Sequence, residues 1–309
     1  MKKMLITGAA GFIGHFLVKQ FFEDYKLICV VRPNGNLRRL KDVNLNVKLI
    51  EHNLREEFVH NLDDIEVILH AGGNPSSESS INDPFSVVMD NVIGTANMLE
   101  FAKKLPNLKR FVYYGAAESY GPSTPGTDKY ENDPYDSVSP YAASKAGGAE
   151  LCVAYSKTFN LPVSIINIAN TFGERSQKNR LPVIAINKIM NEEEVLIVSD
   201  GYQISGRKWQ HVEDVALHTR FILNNQKQLC EKWNSAHNSF TTNLGLCQMI
   251  ARSLGKPLKV KFVEPSRNGH GILMTINSGK IYNQWKNPYT LQQRIQQTVK
   301  WYTNNKEWL

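Results

Sequence analysis

The stretch Thr7-Gly-Ala-Ala-Gly-Phe-Ile-Gly14 does most to limit what this chain can fold into. It follows a short apolar run, residues 4–7, and opens an amphipathic stretch, residues 12–22. Small residues at 8, 11 and 14 let the backbone approach a pyrophosphate, and free N–H groups at a helix start face its charge. A glycine triplet by itself is a weak signal. Between a strand at the N-terminus and a helix, it predicts the first turn of a dinucleotide-binding βαβ unit. Thr7, Gly8, Gly11, Phe12, Ile13 and Gly14 are the residues expected around the phosphates.

The rest of the chain agrees with that start. Apolar runs at 27–31, 47–50, 67–70, 111–114 and 163–168 alternate with helix-like stretches at 84–104 and 139–159. Strand and helix at this spacing predict a doubly wound parallel α/β sheet of Rossmann type, with helices on both faces. After residue 170 the alternation weakens, although 181–191 and 289–302 look helical. The expected division is a nucleotide domain over 1–169, with 209–229 returning to it. A smaller α/β substrate lobe would then be built from 170–208 and 230–309.

Composition removes several function classes. With 309 residues and 42% hydrophobic content the chain can bury a large core. No run of eighteen apolar residues suggests a membrane span. The opening Met1-Lys-Lys-Met-Leu-Ile-Thr-Gly runs straight into the glycine motif and does not read as a signal peptide. Cys29, Cys152, Cys230 and Cys247 are scattered without metal-ligand spacing, which suits a reduced, cytoplasmic protein with no zinc site. The net charge of +7 is dispersed. It points away from nucleic acid and toward phosphorylated small molecules.

The end of the second strand bears on cofactor choice. NAD enzymes usually carry an acid there for the ribose 2′-hydroxyl. This strand ends Cys-Val-Val-Arg32-Pro, with Arg38 and Arg39 close behind. An acid about 4 Å from a 2′-phosphate costs on the order of several kcal/mol. Its absence and a forked guanidinium favour NADP, with NAD as the other possibility. Asn53 and Leu54, after the third strand, are expected at the adenine. Ala71, Gly72 and Gly73, after the fourth, are small enough to let the cofactor cross the sheet edge.

Two further stretches bear on the chemistry. Tyr141 and Lys145 are four residues apart and share a helix face. A lysine ammonium beside a phenol favours the phenolate, and oxidised nicotinamide adds more positive charge. Tyr141 is therefore a candidate base for a sugar hydroxyl while hydride leaves the carbon. Twenty-one residues upstream of Tyr141, Tyr120 closes the stretch Tyr113-Tyr-Gly-Ala-Ala-Glu-Ser-Tyr-Gly121, in which Glu118 is the acidic group.

With these motifs the sequence resembles the extended short-chain dehydrogenases/reductases that act on nucleotide sugars: epimerases, 4,6-dehydratases and 4-keto-reductases. The resemblance runs along nearly the whole chain and rests on TGAAGFIG, HAGG (70–73), DNVIGTANMLEFAK (90–103), SPYAASKAGGAEL (139–151), NTFGERSQKNRLP (170–182), HVEDVA (211–216) and TVKWYTNNKEWL (298–309). It implies that Tyr141 is the acid/base, and that Lys145 is its partner and holds the nicotinamide ribose. Asn91 would support the catalytic helix. Asn170 would touch the substrate, and Arg207 would grip a nucleotide diphosphate. Arg267 and His270 would lie at the nucleotide, and Ser79 near the sugar. A homodimer built on the helices within 84–104 and 139–159 is also implied.

The chain departs from this family at one place. With Tyr120-Gly121 as anchor, the family's catalytic Ser/Thr falls on Ala116. The dehydratases' Thr-Asp-Glu becomes Ala116-Ala117-Glu118. A methyl group neither donates nor accepts a hydrogen bond. Ser79, Ser80 and Ser119 are candidate substitutes. The readings that follow are oxidation at C4 with Glu118-assisted loss of water, 4-epimerisation, NADPH-dependent 4-keto reduction, or a cofactor-binding regulator with little activity.

Overall fold

The structure, a computed structural model, describes residues 2–41, 47–265 and 271–309. Among them, seven parallel strands form one sheet. These are β1 (Lys3–Thr7), β2 (Lys26–Val31), β3 (Lys48–Glu51), β4 (Ile65–His70), β5 (Arg110–Ala116), β6 (Val163–Ile168) and a seventh, Cys230–Ser235. The spatial order is the seventh strand, β6, β5, β4, β1, β2, β3. The order reverses between β1 and β4, so their carboxyl ends flank a crevice suited to a ligand.

Sequence pattern explains the layers. β1, β2, β4, β5 and β6 are nearly continuous apolar runs because both sheet faces are covered. One face packs Phe16, Leu17 and Phe21 of the helix Gly14–Phe21 with Val212, Val215 and Ile222 of the helix Val212–Asn225. The helix Val212–Asn225 thus shares a core with the large sheet. The other face packs Met98, Leu99, Ala149 and Cys152 from the helices Gly94–Lys103 and Pro140–Phe159.

A third core lies outside the sheet. Val183, Ile186, Leu246, Ile250, Ile295 and Tyr302 join the helices Leu181–Met190, Asn243–Leu254 and Leu291–Asn304. Two small sheets flank it. One pairs Glu194–Val198 with Lys259–Val263, and the other sets Gly206–Arg207 between Thr241–Thr242 and Leu273–Met274.

Two details differ from the sequence expectation. The strand Cys230–Ser235, expected in the substrate lobe, pairs in parallel with β6 as an edge of the large sheet. Only two of its six residues, CEKWNS, are apolar, and its first three residues are partly exposed. It therefore lacks the apolar run that marks a central strand. The helical stretch 84–104 is also not one α-helix. Pro84–Val88 and Gly94–Lys103 are separated by a π-turn, Met89–Ile93, which carries Asp90 and Asn91. Single π-turns inside helices often mark functional positions.

Candidate active site

The glycine turn has the shape that the sequence requires. Gly8 has φ +65°, and a Cβ there would stand 2.8 Å from Ala71 O and from Gly72. A Cβ on Gly14 would be 2.0 Å from Gly8 O. Glycine is thus needed both for conformation and for room. The helix Gly14–Phe21 has no side-chain cap and no acid in its first turn. The N–H groups of His15, Phe16 and Leu17 bond to Gly11 O and Ile13 O. Those available to an anionic partner among the described residues are therefore the ones just before, at Phe12, Ile13 and Gly14, which fits a dinucleotide pyrophosphate. Ala71 and Gly72 stand against Gly8, and Leu54 Cδ1 lies where a Cβ on Gly72 would come to 2.5 Å. Asn53 caps its own turn: its amide donates to Glu56 Oε1 at 3.1 Å, and its Oδ1 accepts from Arg55 N at 3.2 Å.

Thr7 is fully buried. Its hydroxyl accepts from Gly72 N at 3.0 Å and lies 2.8 Å from His70 Nδ1. His70 Nε2 lies 3.1 Å from Thr95 Oγ1, which itself donates to Asn91 O at 2.6 Å. One hydrogen assignment satisfies the whole chain. Thr7 donates to a neutral His70, whose Nε2–H donates to Thr95. Burial, followed by the charge of Lys145, lowers His70 to about 3, in keeping with the neutral form. His70 was not picked out from the sequence, where it reads as the last residue of an apolar strand.

Asn91 continues the network. It donates to Ser144 Oγ at 2.9 Å and to Asn74 O at 3.1 Å, and it accepts from Asn74 N at 2.7 Å. Ser144 donates to Tyr141 O at 2.7 Å. The π-turn is thereby tied to the first turn of the helix Pro140–Phe159, which Ser139 caps through Ala142 N. That turn carries Tyr141, and Lys145 lies one turn on. Both are half-buried.

Burial pushes the Tyr141 phenol above its usual range. Glu118 pushes it further, and Arg180 opposes the rise. The Lys145 ammonium is brought down to about 8 by burial and lies 4.5 Å from the centre of the Tyr113 ring. The expected lowering of Tyr141 by Lys145 is not seen in the protein alone, where the opposing charge is that of Arg180. The low-dielectric pocket penalises both charged forms.

Ala116 ends β5, and Ala117 starts the short 3₁₀ turn Ala117–Tyr120. Both are nearly buried, and Glu118 beside them is partly exposed. Glu118 is close enough to act electrostatically on both Tyr141 and Arg207. All three substitute hydroxyls are already engaged. Ser119 is buried and donates to Ala142 O at 3.2 Å, and buried Ser80 donates to Ser77 O at 2.7 Å. Ser79 bonds to Asn74 Oδ1 at 3.3 Å and Ser76 O at 3.2 Å. None of these bonds could be read from the sequence, because they depend on how local turns close.

Arg207 is buried against main-chain carbonyls. It donates to Gly206 O and Ile272 O at 2.7 Å and to Gly271 O at 2.9 Å. Burial lowers it to about 10, and Glu118 opposes that fall. Among the described residues, two of its five N–H donors have no partner. Asn170 is half-buried, and its carbonyl accepts from Gln210 N at 3.0 Å. Arg180, which donates to Pro75 O at 3.0 Å, belongs to this site and was not singled out from the sequence. Arg267 and His270 lie outside the described residues.

The fold and the site define a class: a doubly wound α/β protein with a dinucleotide crevice and a tyrosine–lysine pair beside it. Residues 4–236 match the model of the NAD dependent epimerase/dehydratase family, and the chain belongs to that family. It is 28% identical to a dTDP-glucose 4,6-dehydratase of Haemophilus influenzae, with 99% of each chain covered. A dTDP-glucose 4,6-dehydratase of Streptomyces venezuelae, solved with NAD bound, superimposes with a TM-score of 0.89 at 25% identity, covering 99% of this chain and 98% of that one. A UDP-N-acetylglucosamine 4-epimerase of Methanobrevibacter ruminantium has the same fold, with a TM-score of 0.89 at 22% identity over 98% and 99% of the two chains. No helix among the described residues is long and apolar enough to cross a membrane.

Proposed function

We propose that this protein acts on a nucleotide-diphosphate sugar by hydride transfer at the sugar C4, followed by Glu118-assisted elimination of water, as a dehydratase does. The observation that carries the reading is the grouping of Tyr141, Glu118 and Arg207 beside the dinucleotide crevice. Tyr141 takes the proton of the C4 hydroxyl. Lys145, with its ammonium at about 8, supplies positive charge near that phenol at neutral pH. A bound nicotinamide supplies the hydride acceptor. Once C4 is a ketone, the C5 hydrogen is acidified, and Glu118 would remove it as hydroxide leaves C6, the proton and hydroxide going out as water. Return of the hydride to C6 and a proton to C5 would leave a net loss of one water. The two free donors of Arg207 hold the diphosphate.

A second reading, 4-epimerisation, is favoured by Ala116 and Ala117. With no hydroxyl or acid at these positions, the residues left are those that hydride removal and return require. A missing general acid usually costs about two to four decades of rate. The two readings separate in one experiment. The cofactor-loaded protein is incubated with a panel of nucleotide sugars and the products are weighed. Loss of one water supports elimination, and altered stereochemistry at constant mass supports epimerisation. Neither change with any sugar rejects both. Consumption of NADPH on 4-keto sugars would instead mark a reductase, and binding without turnover would mark a regulator.

The cofactor of this chain is NADP in preference to NAD. Arg32 stands at the end of β2, with its side chain 70% exposed and no acid in the usual ribose position. The protein forms a homodimer through the helices that expose Phe85, Val88, Ile93 and Phe159. Four free cysteines, three of them buried, suit the reducing cytoplasm.

A further inference from the structure

We infer that Arg55 is a specificity-determining residue: it occupies Asp90 and thereby leaves Arg32 free for the cofactor's 2′-phosphate. The inference rests on the NADP reading above. The residues lie at the carboxyl edge of the sheet, where a dinucleotide lies across the crevice. Arg32 follows β2, and Arg55 follows β3 by way of Asn53 and Leu54. Asp90 lies in the π-turn beside Asn91, which binds the segment just after β4.

The Asp90 side chain is only 8% exposed. A carboxylate so enclosed needs a cation and hydrogen bonds. Two guanidinium groups compete for it. Arg55 Nε donates to Asp90 Oδ1 at 2.7 Å. The same guanidinium is anchored on Ser86, at 3.2 Å from its carbonyl and 2.5 Å from its hydroxyl. The second oxygen, Oδ2, receives only a long bond from Asn74 Nδ2 at 3.4 Å and has Arg32 Nη2 at 3.6 Å. Arg55 therefore holds the short, directed bond, and Arg32 is the looser and more exposed partner.

Charge balance gives the consequence. Two guanidinium groups against one carboxylate leave one net positive charge, and it resides on the group able to move. A dianionic 2′-phosphate can draw Arg32 away without leaving Asp90 unpaired, because Arg55 remains. Without Arg55, Asp90 has Arg32 as its close cation, and Arg32 is retained. An incoming 2′-phosphate then meets a neutral pair with a carboxylate in it. NAD, which has no such phosphate, is affected far less.

The test is equilibrium titration of the full chain with NADP⁺ and with NAD⁺, with no turnover required. The variants are Arg55→Ala, Arg32→Ala and the double variant Arg55→Ala/Asp90→Asn. Arg55→Ala is expected to lower the NADP/NAD affinity ratio about tenfold or more. The double variant is expected to restore it, because no carboxylate remains to capture Arg32. If Arg32→Ala lowers the ratio and Arg55→Ala leaves it unchanged, the role of Arg55 is overturned while NADP selection stands. Equal weakening of both cofactors, with no recovery in the double variant, marks Arg55 as merely structural and also overturns it. If neither single variant moves the ratio, the NADP reading beneath it falls.

Discussion

The two ends of the crevice are built in opposite ways. At the cofactor end every polar group of the Thr7–His70–Thr95–Asn91–Ser144 chain has a partner, and the chain runs from the first strand to the catalytic helix. At the proton-handling end two buried alanines, Ala116 and Ala117, precede Glu118, a carboxylate that acts on Tyr141 and Arg207 through charge. Fully paired buried networks hold one geometry, because breaking any member leaves an unsatisfied polar group. The contrast teaches that the hydride-transfer frame is strongly determined, while the proton chemistry depends on few groups.

The sharpest way to break this comparison is to remove the one group that serves both ends. Tyr141→Phe should lower turnover by about a thousandfold or more while the melting temperature and cofactor affinity stay near wild type. Steady-state kinetics with a binding titration check this. Turnover within tenfold of wild type would mean that another group takes the C4 proton.

Glu118→Gln separates the ends. It should slow net elimination by about a hundredfold, yet still allow reduced nicotinamide to accumulate in a single turnover. Stopped-flow absorbance measures that accumulation, and its loss in step with elimination would place Glu118 in the first step instead.

The cofactor end makes its own prediction, in stability. Burial holds the His70 imidazole down at about 3 in the folded protein, against an ordinary 6.5. A depressed pKa means that the unfolded chain binds the proton first, so stability is full above about 6.5 and falls as pH drops toward 3. The difference corresponds to about 5 kcal/mol across that window. Denaturant unfolding at several pH values should show a steep acid limb, shallower in His70→Asn. An unchanged limb in that variant would mean that His70 is not the group protecting the fold from acid.

The smallest effect is expected from restoring what is missing. Ala116→Thr returns a hydroxyl beside Tyr141 and should raise the rate by up to about tenfold, with no loss of cofactor affinity. A marked fall in rate would show that the pocket is shaped around the methyl group.

The parts of the molecule legible in the sequence are those where one residue type is demanded by backbone or period. Gly8 and Gly14 could be assigned because no side chain fits there. The central strands could be assigned because both faces are buried. The edge strand Cys230–Ser235 was missed because partial exposure removes the apolar run. Arg55, Asp90, His70 and Arg180 were missed for a different reason. Their partners lie between 16 and 105 residues away in the chain, as Asp90–Asn74 and Arg180–Pro75 illustrate, and no local pattern announces them. Arg207 was found, but the carbonyl cage that holds it depends on residues 271–272 and could not be read locally.

The central claim is that the hydride-transfer frame works although the hydroxyl and acid are gone. Its most direct test is a single-turnover experiment: the cofactor-loaded protein is mixed with each of a panel of nucleotide hexoses, and the near-ultraviolet absorbance of reduced nicotinamide is followed. A rise with at least one hexose in the wild type, absent in Tyr141→Phe, is the predicted result. No rise with any hexose that calorimetry shows to be bound would contradict it.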